Sequence, residues 1–185
     1  MGKYILLNRD GVINVKQDHP IAEEKDFVLL PFATEAFFAM KRFDFLPIIL
    51  ACEEGLQNGS MDEATQEAIQ ERMRNEIETA GGYIHDIIVC PSAMAPWDKC
   101  AFPKPGMLQI AAYKHGFSLE DTYFIGDRLE CLQAAWAVGC KSGLVRTGKP
   151  YRTMQYLKTA DRGPDLITID LLSMINKLAS MPTIS

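Results

Sequence analysis

Ile5-Leu6-Leu7-Asn8-Arg9-Asp10-Gly11-Val12-Ile13-Asn14 is the stretch that sets the fold. Tyr4 and the three residues after it form an apolar run without polar alternation, as expected of a strand buried on both faces of a parallel sheet. The run breaks into Asn8, Arg9 and Asp10, then Gly11. Ligands of open α/β sheets bind just past the carboxyl ends of the strands. These three polar side chains therefore lie where chemistry is expected.

Working outward, similar runs recur at Phe45 to Ala51, Ile84 to Cys90, Thr122 to Gly126, Lys141 to Val145 and Asp165 to Ile169. Helical patterns alternate with them. Pro31 opens one that runs to Phe43, with Ala33, Ala36, Phe37, Met40 and Phe43 as its core stripe. A second follows Ser60 or Asp62 as cap and stops at Gly81-Gly82, burying Ala64, Ile69, Met73 and Ile77. Others cover Gly106 to His115, Leu129 to Val138 and Leu171 to Leu178. Strands alternating with helices predict an α/β doubly wound parallel sheet with helices on both faces and right-handed crossovers. Residues 1–185 read as one domain. Two irregular stretches stand out: a polar loop at 11–31, folded over the site, and an insertion at 91–105. His19 in that loop reads as structural or solvated, and Gly55 to Gly59 reads as a loop.

The net charge of −5 argues against nucleic acid or an anionic membrane as partner. No apolar run approaches a membrane span, and no signal peptide opens the chain, so a cytoplasmic protein is expected. The five cysteines, Cys52, Cys90, Cys100, Cys131 and Cys140, form an odd, scattered set that reads as free thiols. No lysine or histidine is positioned to lower a thiol pKa, so no redox role is expected for Cys52 or Cys131.

Four stretches in collinear order carry a resemblance: Asn8 to Asn14, Pro105 to Leu108 (Pro-Gly-Met-Leu), Ile125 to Glu130 (Ile-Gly-Asp-Arg-Leu-Glu) and Val145 to Pro150 (Val-Arg-Thr-Gly-Lys-Pro). Together they resemble the haloacid dehalogenase (HAD) superfamily, in the branch of the D-glycero-D-manno-heptose 1,7-bisphosphate phosphatases and histidinol-phosphatases. The resemblance implies a HAD-like, Rossmann-like domain with a minimal cap, covering residues 3 to 178. It also implies phosphoryl transfer to an aspartate, Mg²⁺ and a small phosphorylated metabolite as ligand.

Each part of that chemistry has a counterpart here, and several depart from it. The nucleophile position is Asn8, whose neutral carboxamide is a poor nucleophile; Asp10 keeps the acid/base position. The phosphate-binding Thr or Ser position is Ala51, in Ala51-Cys52-Glu53-Glu54-Gly55 where Thr-Asn-Gln-Ser-Gly is expected. Two like charges about 4 Å apart repel by about 4 kcal/mol at an effective dielectric of about 20, so Glu53 and Glu54 are expected to disfavour phosphate unless they turn outward. The lysine position is Phe102, its arginine neighbour Ala101, and Lys104 is the available substitute. A lost clamp of this kind removes about 3 kcal/mol of transition-state stabilisation. The second acidic Mg²⁺ position is Cys131, which leaves Asn8, the Asp10 carbonyl and Asp127 as a weak Mg²⁺ site. A zinc loop of the related phosphatases survives only as Cys90, Asp98 and Cys100, with Ser92 in place of its histidine, so zinc is not expected. Arg146 and Lys149 occupy positions that help bind a sugar phosphate. Bland readings stand beside these: tight turns for Gly11, Gly126 and Gly148, helix capping for Asp127, ordinary surface charge for Arg146 and Lys149.

The joint departures at Asn8, Ala51, Phe102 and Cys131 predict a catalytically degenerate homologue, a pseudophosphatase kept for binding a metabolite or a protein partner. The alternative is an active Mg-dependent sugar-phosphate or histidinol-phosphate phosphohydrolase working through Asp10 and Asp127.

Overall fold

The structure, a computed structural model, describes residues 3–19, 21 and 23–181. Six parallel strands form one sheet: β1 (Lys3–Asn8), β2 (Phe45–Cys52), β3 (Asp86–Cys90), β4 (Tyr123–Gly126), β5 (Lys141–Val145) and β6 (Leu166–Thr168). Their order across the sheet is β3-β2-β1-β4-β5-β6. The chain winds outward from β1 to β3, then returns to lay β4 on the other side of β1. That reversal opens a crevice between the carboxyl ends of β1 and β4, where doubly wound sheets bind ligands. The expected HAD-like, Rossmann-like α/β fold is present.

Successive side chains of a strand face opposite sides, so each apolar run feeds two cores. Ile5, Leu7, Ile49, Ile125 and Val145 face α1 (Ala33–Arg42), α3 (Glu63–Thr79) and α8 (Leu171–Ser180). Leu6, Ile48, Leu50, Ile88 and Phe124 face α5 (Gly106–His115) and α6 (Leu129–Ala137). Leu6 and Leu7 have no exposed surface, and each such side chain contributes roughly 1.5–3 kcal/mol by leaving water. Both faces of β1 are dry, which is why its sequence shows no alternation.

Several boundaries differ from the expectations. α1 begins at Ala33, after Phe32 in the left-handed region at φ 65°, so Pro31 precedes the helix instead of opening it. Asp62, not Ser60, caps α3, its Oδ1 accepting from the Thr65 N–H at 2.8 Å. On that helix Ala64 is exposed and Gln66 is buried in its stead. The stretch expected as a loop after β2 contains a short helix, α2 (Glu54–Asn58), ended by Gly59 at φ 79°. A single turn, α4 (Trp97–Cys100), lies inside the 91–105 insertion, and α7 (Tyr151–Leu157) was not anticipated. Among the described residues no helix is long and apolar enough to cross a membrane.

The 11–31 loop, described apart from residues 20 and 22, is pinned across the crevice. The Val15 N–H donates to the Val28 carbonyl at 2.8 Å and the Leu30 N–H to the Ile13 carbonyl at 2.9 Å. A 3-10 turn at Glu24–Asp26 carries the chain between these contacts.

Candidate active site

Asn8 is the last residue of β1 and Asp127 the first after β4, so the switch point brings them together. Asn8 Nδ2 donates to the Asp10 main-chain carbonyl at 2.8 Å and to Asp127 Oδ1 at 3.1 Å. Asp127 is wholly buried. Its carboxylate fills the space left by two glycines: a Cβ on Gly11 or on Gly148 would collide with Asp127 Oδ2. Only Gly11 also has the left-handed backbone, at φ 81°, that a tight turn requires. For Gly148 and Gly126 the tight-turn reading is replaced by close approach, to Asp127 and to the Cys131 Cβ respectively. Thr147 Oγ1 donates to the Gly11 carbonyl at 2.7 Å and locks the two loops. On the free side of Asp127, Lys16 Nζ lies 3.4 Å from Oδ2. Asp127 does not cap α6; the Leu129 N–H donates instead to Thr153 Oγ1 of α7 at 2.9 Å.

Arg9 is 1% exposed and organises the floor. Its Nε donates to Asp10 Oδ1 at 3.0 Å, and its Nη2 to Asp10 Oδ2 at 3.2 Å and to Glu53 Oε2 at 3.0 Å. Its Nη1 closes a second contact to Glu53 Oε1. Asn14 Nδ2 adds a bond to Asp10 Oδ1 at 2.9 Å. Burial alone would push the Asp10 carboxyl up, but the charge of Arg9, its hydrogen bonds and those of Asn14 win and hold it below the usual carboxylate range. Burial likewise opposes the Arg9 charge and is outweighed by Asp10 and Glu53. The expected repulsion of phosphate by Glu53 is thereby corrected. Glu53 turns inward, is itself buried, and pairs with Arg9, which it shares with Asp10; Glu54, exposed at the start of α2, remains on the pocket wall.

Above this floor is a pocket of about 380 Å³ whose walls include Arg9, Asp10, Lys16, Cys52, Phe102 and Arg128. Among the described residues, the buried Arg128 Nε finds no hydrogen-bond partner. His19 also lines the pocket. Of the other expected site residues, Phe102 is a wall, its ring 5.4 Å from that of Phe124. Ala51 is wholly buried. Lys104 does not replace the lost lysine, because its ammonium is turned to the Asp98 carbonyl and lies outside the pocket wall. Arg146 is exposed and outside the wall, and Lys149 pairs with Asp18, which is part of it. Burial pushes the Cys52 thiol up to about 11 and the Cys131 thiol up to about 12, so both stay protonated and poorly nucleophilic near neutrality. The vestigial zinc set is corrected as well: Cys90 and Cys100 are joined by a disulfide with Cα atoms 5.9 Å apart. They are neither free thiols nor metal ligands. Among the described residues no group of three His, Cys, Asp or Glu side chains is placed to hold a metal.

Hard oxygens do converge at the switch point. The Asp127 carboxylate, the Asp10 carbonyl and the Asn8 carboxamide form a small oxygen-rich cradle, a donor set that suits a hard divalent cation once the amide presents its oxygen. Sequence reasoning found these three residues. It placed Arg9 and Glu53 at the site without pairing them, and it missed Lys16, Asn14 and Arg128. An arginine at the end of β1 opposite acidic residues at the end of the adjacent β2 was the available signal for the buried pair.

Comparison with known proteins bears on what this arrangement does. A HAD-hydrolase-like family model matches residues 100–174. A D-glycero-β-D-manno-heptose-1,7-bisphosphate 7-phosphatase of Pseudomonas putida is 34% identical over 153 residues, covering 83% of this chain and 87% of that protein. The Escherichia coli K12 protein of the same name is 33% identical over 156 residues, covering 79% and 80%. The crystal structure of the D,D-heptose 1,7-bisphosphate phosphatase of Bordetella bronchiseptica, complexed with magnesium and phosphate, superposes with a TM-score of 0.87 at 29% identity, over 95% of this chain and 97% of that one. These relatives are named as phosphatases, one of them seen with magnesium and phosphate, and they overturn the expectation of a pseudophosphatase. That expectation counted lost groups one position at a time, whereas the folded pocket brings Arg9, Lys16 and Arg128 together from different segments, beside the carboxylates of Asp10, Asp18, Glu53, Glu54 and Glu130.

Proposed function

Because the chain belongs to the heptose bisphosphate phosphatase family of the HAD-like hydrolases, we propose that it is a phosphohydrolase acting on a small sugar phosphate or on histidinol phosphate. One observation carries this reading: the Arg128 guanidinium lines the pocket while its buried Nε has no partner among the described residues. A buried cationic donor without an acceptor is costly, and a phosphoryl oxygen is a strong, geometrically suited acceptor for arginine. Lys16 brings a second positive charge to the same pocket.

Phosphoryl transfer proceeds through a loose transition state, so it depends mainly on positioning and charge neutralisation. Arg128 and Lys16 hold the phosphoryl oxygens. Asn8 is a neutral amide and takes no phosphoryl group, so the attacking group is water. The ionised Asp10 carboxylate accepts a hydrogen bond from that water and orients it. The water oxygen bonds to phosphorus as the phosphorus–alkoxide bond breaks. The proton released passes by way of Asp10 to the leaving oxygen, giving an alcohol and inorganic phosphate. Asp10 is a weak base because its pKa is held low, and a loose transition state asks little of the base. Asn8, the Asp10 carbonyl and Asp127 would hold Mg²⁺, which when bound supplies positive charge to the phosphoryl oxygens. The Asp127 cradle between Gly11 and Gly148 keeps the floor rigid.

The test is phosphate release by the purified chain from heptose bisphosphate, histidinol phosphate and an aryl phosphate, beside Asp10→Ala and Arg128→Gln. Expected is release that Asp10→Ala abolishes and that Arg128→Gln weakens mainly through a raised KM. Release no greater than that of Asp10→Ala for all three substrates overturns the reading.

A further inference from the structure

We infer that Lys16 is a built-in competitor for the divalent cation at Asp127, so that a metal ion enters this site only by displacing a side chain of the protein itself. The inference rests on the reading of Asn8, Asp10 and Asp127 as the cation site and does not depend on turnover. Three contacts carry it. Lys16 Nζ lies 3.4 Å from Asp127 Oδ2. The Asn8 NH₂ bridges Asp127 Oδ1 and the Asp10 carbonyl, at 3.1 and 2.8 Å. Both Asp127 oxygens and the Asp10 carbonyl therefore already face an N–H donor of the chain. The third contact is steric: Gly11 and Gly148 pack so closely that a Cβ on either would collide with Asp127 Oδ2, which narrows the approach to the oxygen that the ammonium faces.

The two protein donors differ in how they can yield. An amide turned by half a rotation exchanges NH₂ for oxygen with almost no change of shape, so Asn8 converts from donor to ligand in place. An ammonium has no acceptor and no such second face; it must leave. Lys16 is able to do so, because it sits on the 11–31 loop at the mouth of the pocket with its side chain 19% exposed and a flexible four-carbon stem. The apparent cation affinity is then the intrinsic affinity reduced by the fraction of molecules in which the lysine has swung away.

Mn²⁺ is the probe, with free ion followed by its paramagnetic resonance signal in the absence of any phosphate ester. The proteins compared are the unmodified chain, Lys16→Met, Lys16→Arg and Lys16→Met combined with Asp127→Ala. Lys16→Met is expected to bind Mn²⁺ about tenfold more tightly, ~1.4 kcal/mol. Lys16→Arg keeps the charge and is expected to match the unmodified chain. The gain should vanish when Asp127→Ala is added. Equal affinity in Lys16→Met and the unmodified chain overturns the inference, as does a gain that survives Asp127→Ala. A chain that releases phosphate yet shows no gain in Lys16→Met sinks this inference alone. A gain in a chain without turnover supports it and sinks the hydrolase reading instead.

Discussion

The two ends of β1 use the same kinds of side chain in opposite ways. At the amino end, Tyr4 stacks on Phe117 with ring centroids 4.5 Å apart and meets His85 edge-on at 5.5 Å. Asp86 Oδ2 there faces Lys114 Nζ and His115 Nε2, each at 2.8 Å. Water reaches all of these groups. At the carboxyl end, Arg9, Glu53 and Asp127 are almost without exposed surface. A charge in contact with water loses little when its partner goes, because solvent screens what remains. A charge sealed in the interior depends wholly on its partner. The ion pairs at the amino end are therefore replaceable, whereas those at the carboxyl end are conditions for the fold.

The largest effect expected from this contrast is at Arg9. Arg9→Met leaves Glu53 buried without compensation and should cost about 3–5 kcal/mol in denaturant unfolding. Adding Glu53→Met to that variant should recover most of the loss. A cost no greater than that of a surface change would break the contrast. A smaller loss is expected where the carboxyl end is stapled. Cys100→Ser opens the disulfide to Cys90 and should lower stability by about 2–3 kcal/mol, read as a lower unfolding midpoint that reducing agent does not lower further.

The smallest is Asp86→Asn at the amino end, expected to cost less than about 1 kcal/mol at neutral pH. Burial pushes the Asp86 carboxyl up, but the hydrogen bonds of Lys114 and His115 outweigh it and hold the group below its ordinary value. The stability it adds is thus fully present above about pH 4 and is lost as pH falls through the depressed folded value. The difference between Asp86→Asn and the unmodified chain should therefore disappear in acid. A difference that grows on acidification would show that Asp86 is not held ionised by these partners.

The same contrast explains what could be read from the sequence. Strands sealed on both faces leave unbroken apolar runs, so β1, β2 and β5 were legible within a residue or two. α7 was not, because only Thr153 of its seven residues is buried and no apolar stripe marks it. α2 was hidden by the glycines at 55 and 59, one of which packs close to Met61 while the other ends the helix. In the site, Asn8 and Asp10 follow from the end of β1 and Asp127 from the resemblance, and their meeting is a matter of sheet order. Lys16 and Arg128 are different. Each is one charge among many in a polar stretch, and its place depends on how the 11–31 loop and the turn before α6 lie in space. The count of lost catalytic groups went wrong for that reason. It weighed positions along the chain, whereas the pocket takes its cations, Arg9, Lys16 and Arg128, from three different segments.

The seating of Asp127 between Gly11 and Gly148 also sets a timetable for synthesis. Arg9 and Glu53 are both available once the first third of the chain has left the ribosome, so their pair can form early. The second glycine arrives much later, on the order of ten seconds at typical elongation speeds. Until then the nascent first half carries a finished ion pair beside an unfinished site. The seat of the Asp127 carboxylate is thus completed only once Gly148 has been made, and a chain stalled before it would hold the Arg9–Glu53 pair but lack one wall of that seat.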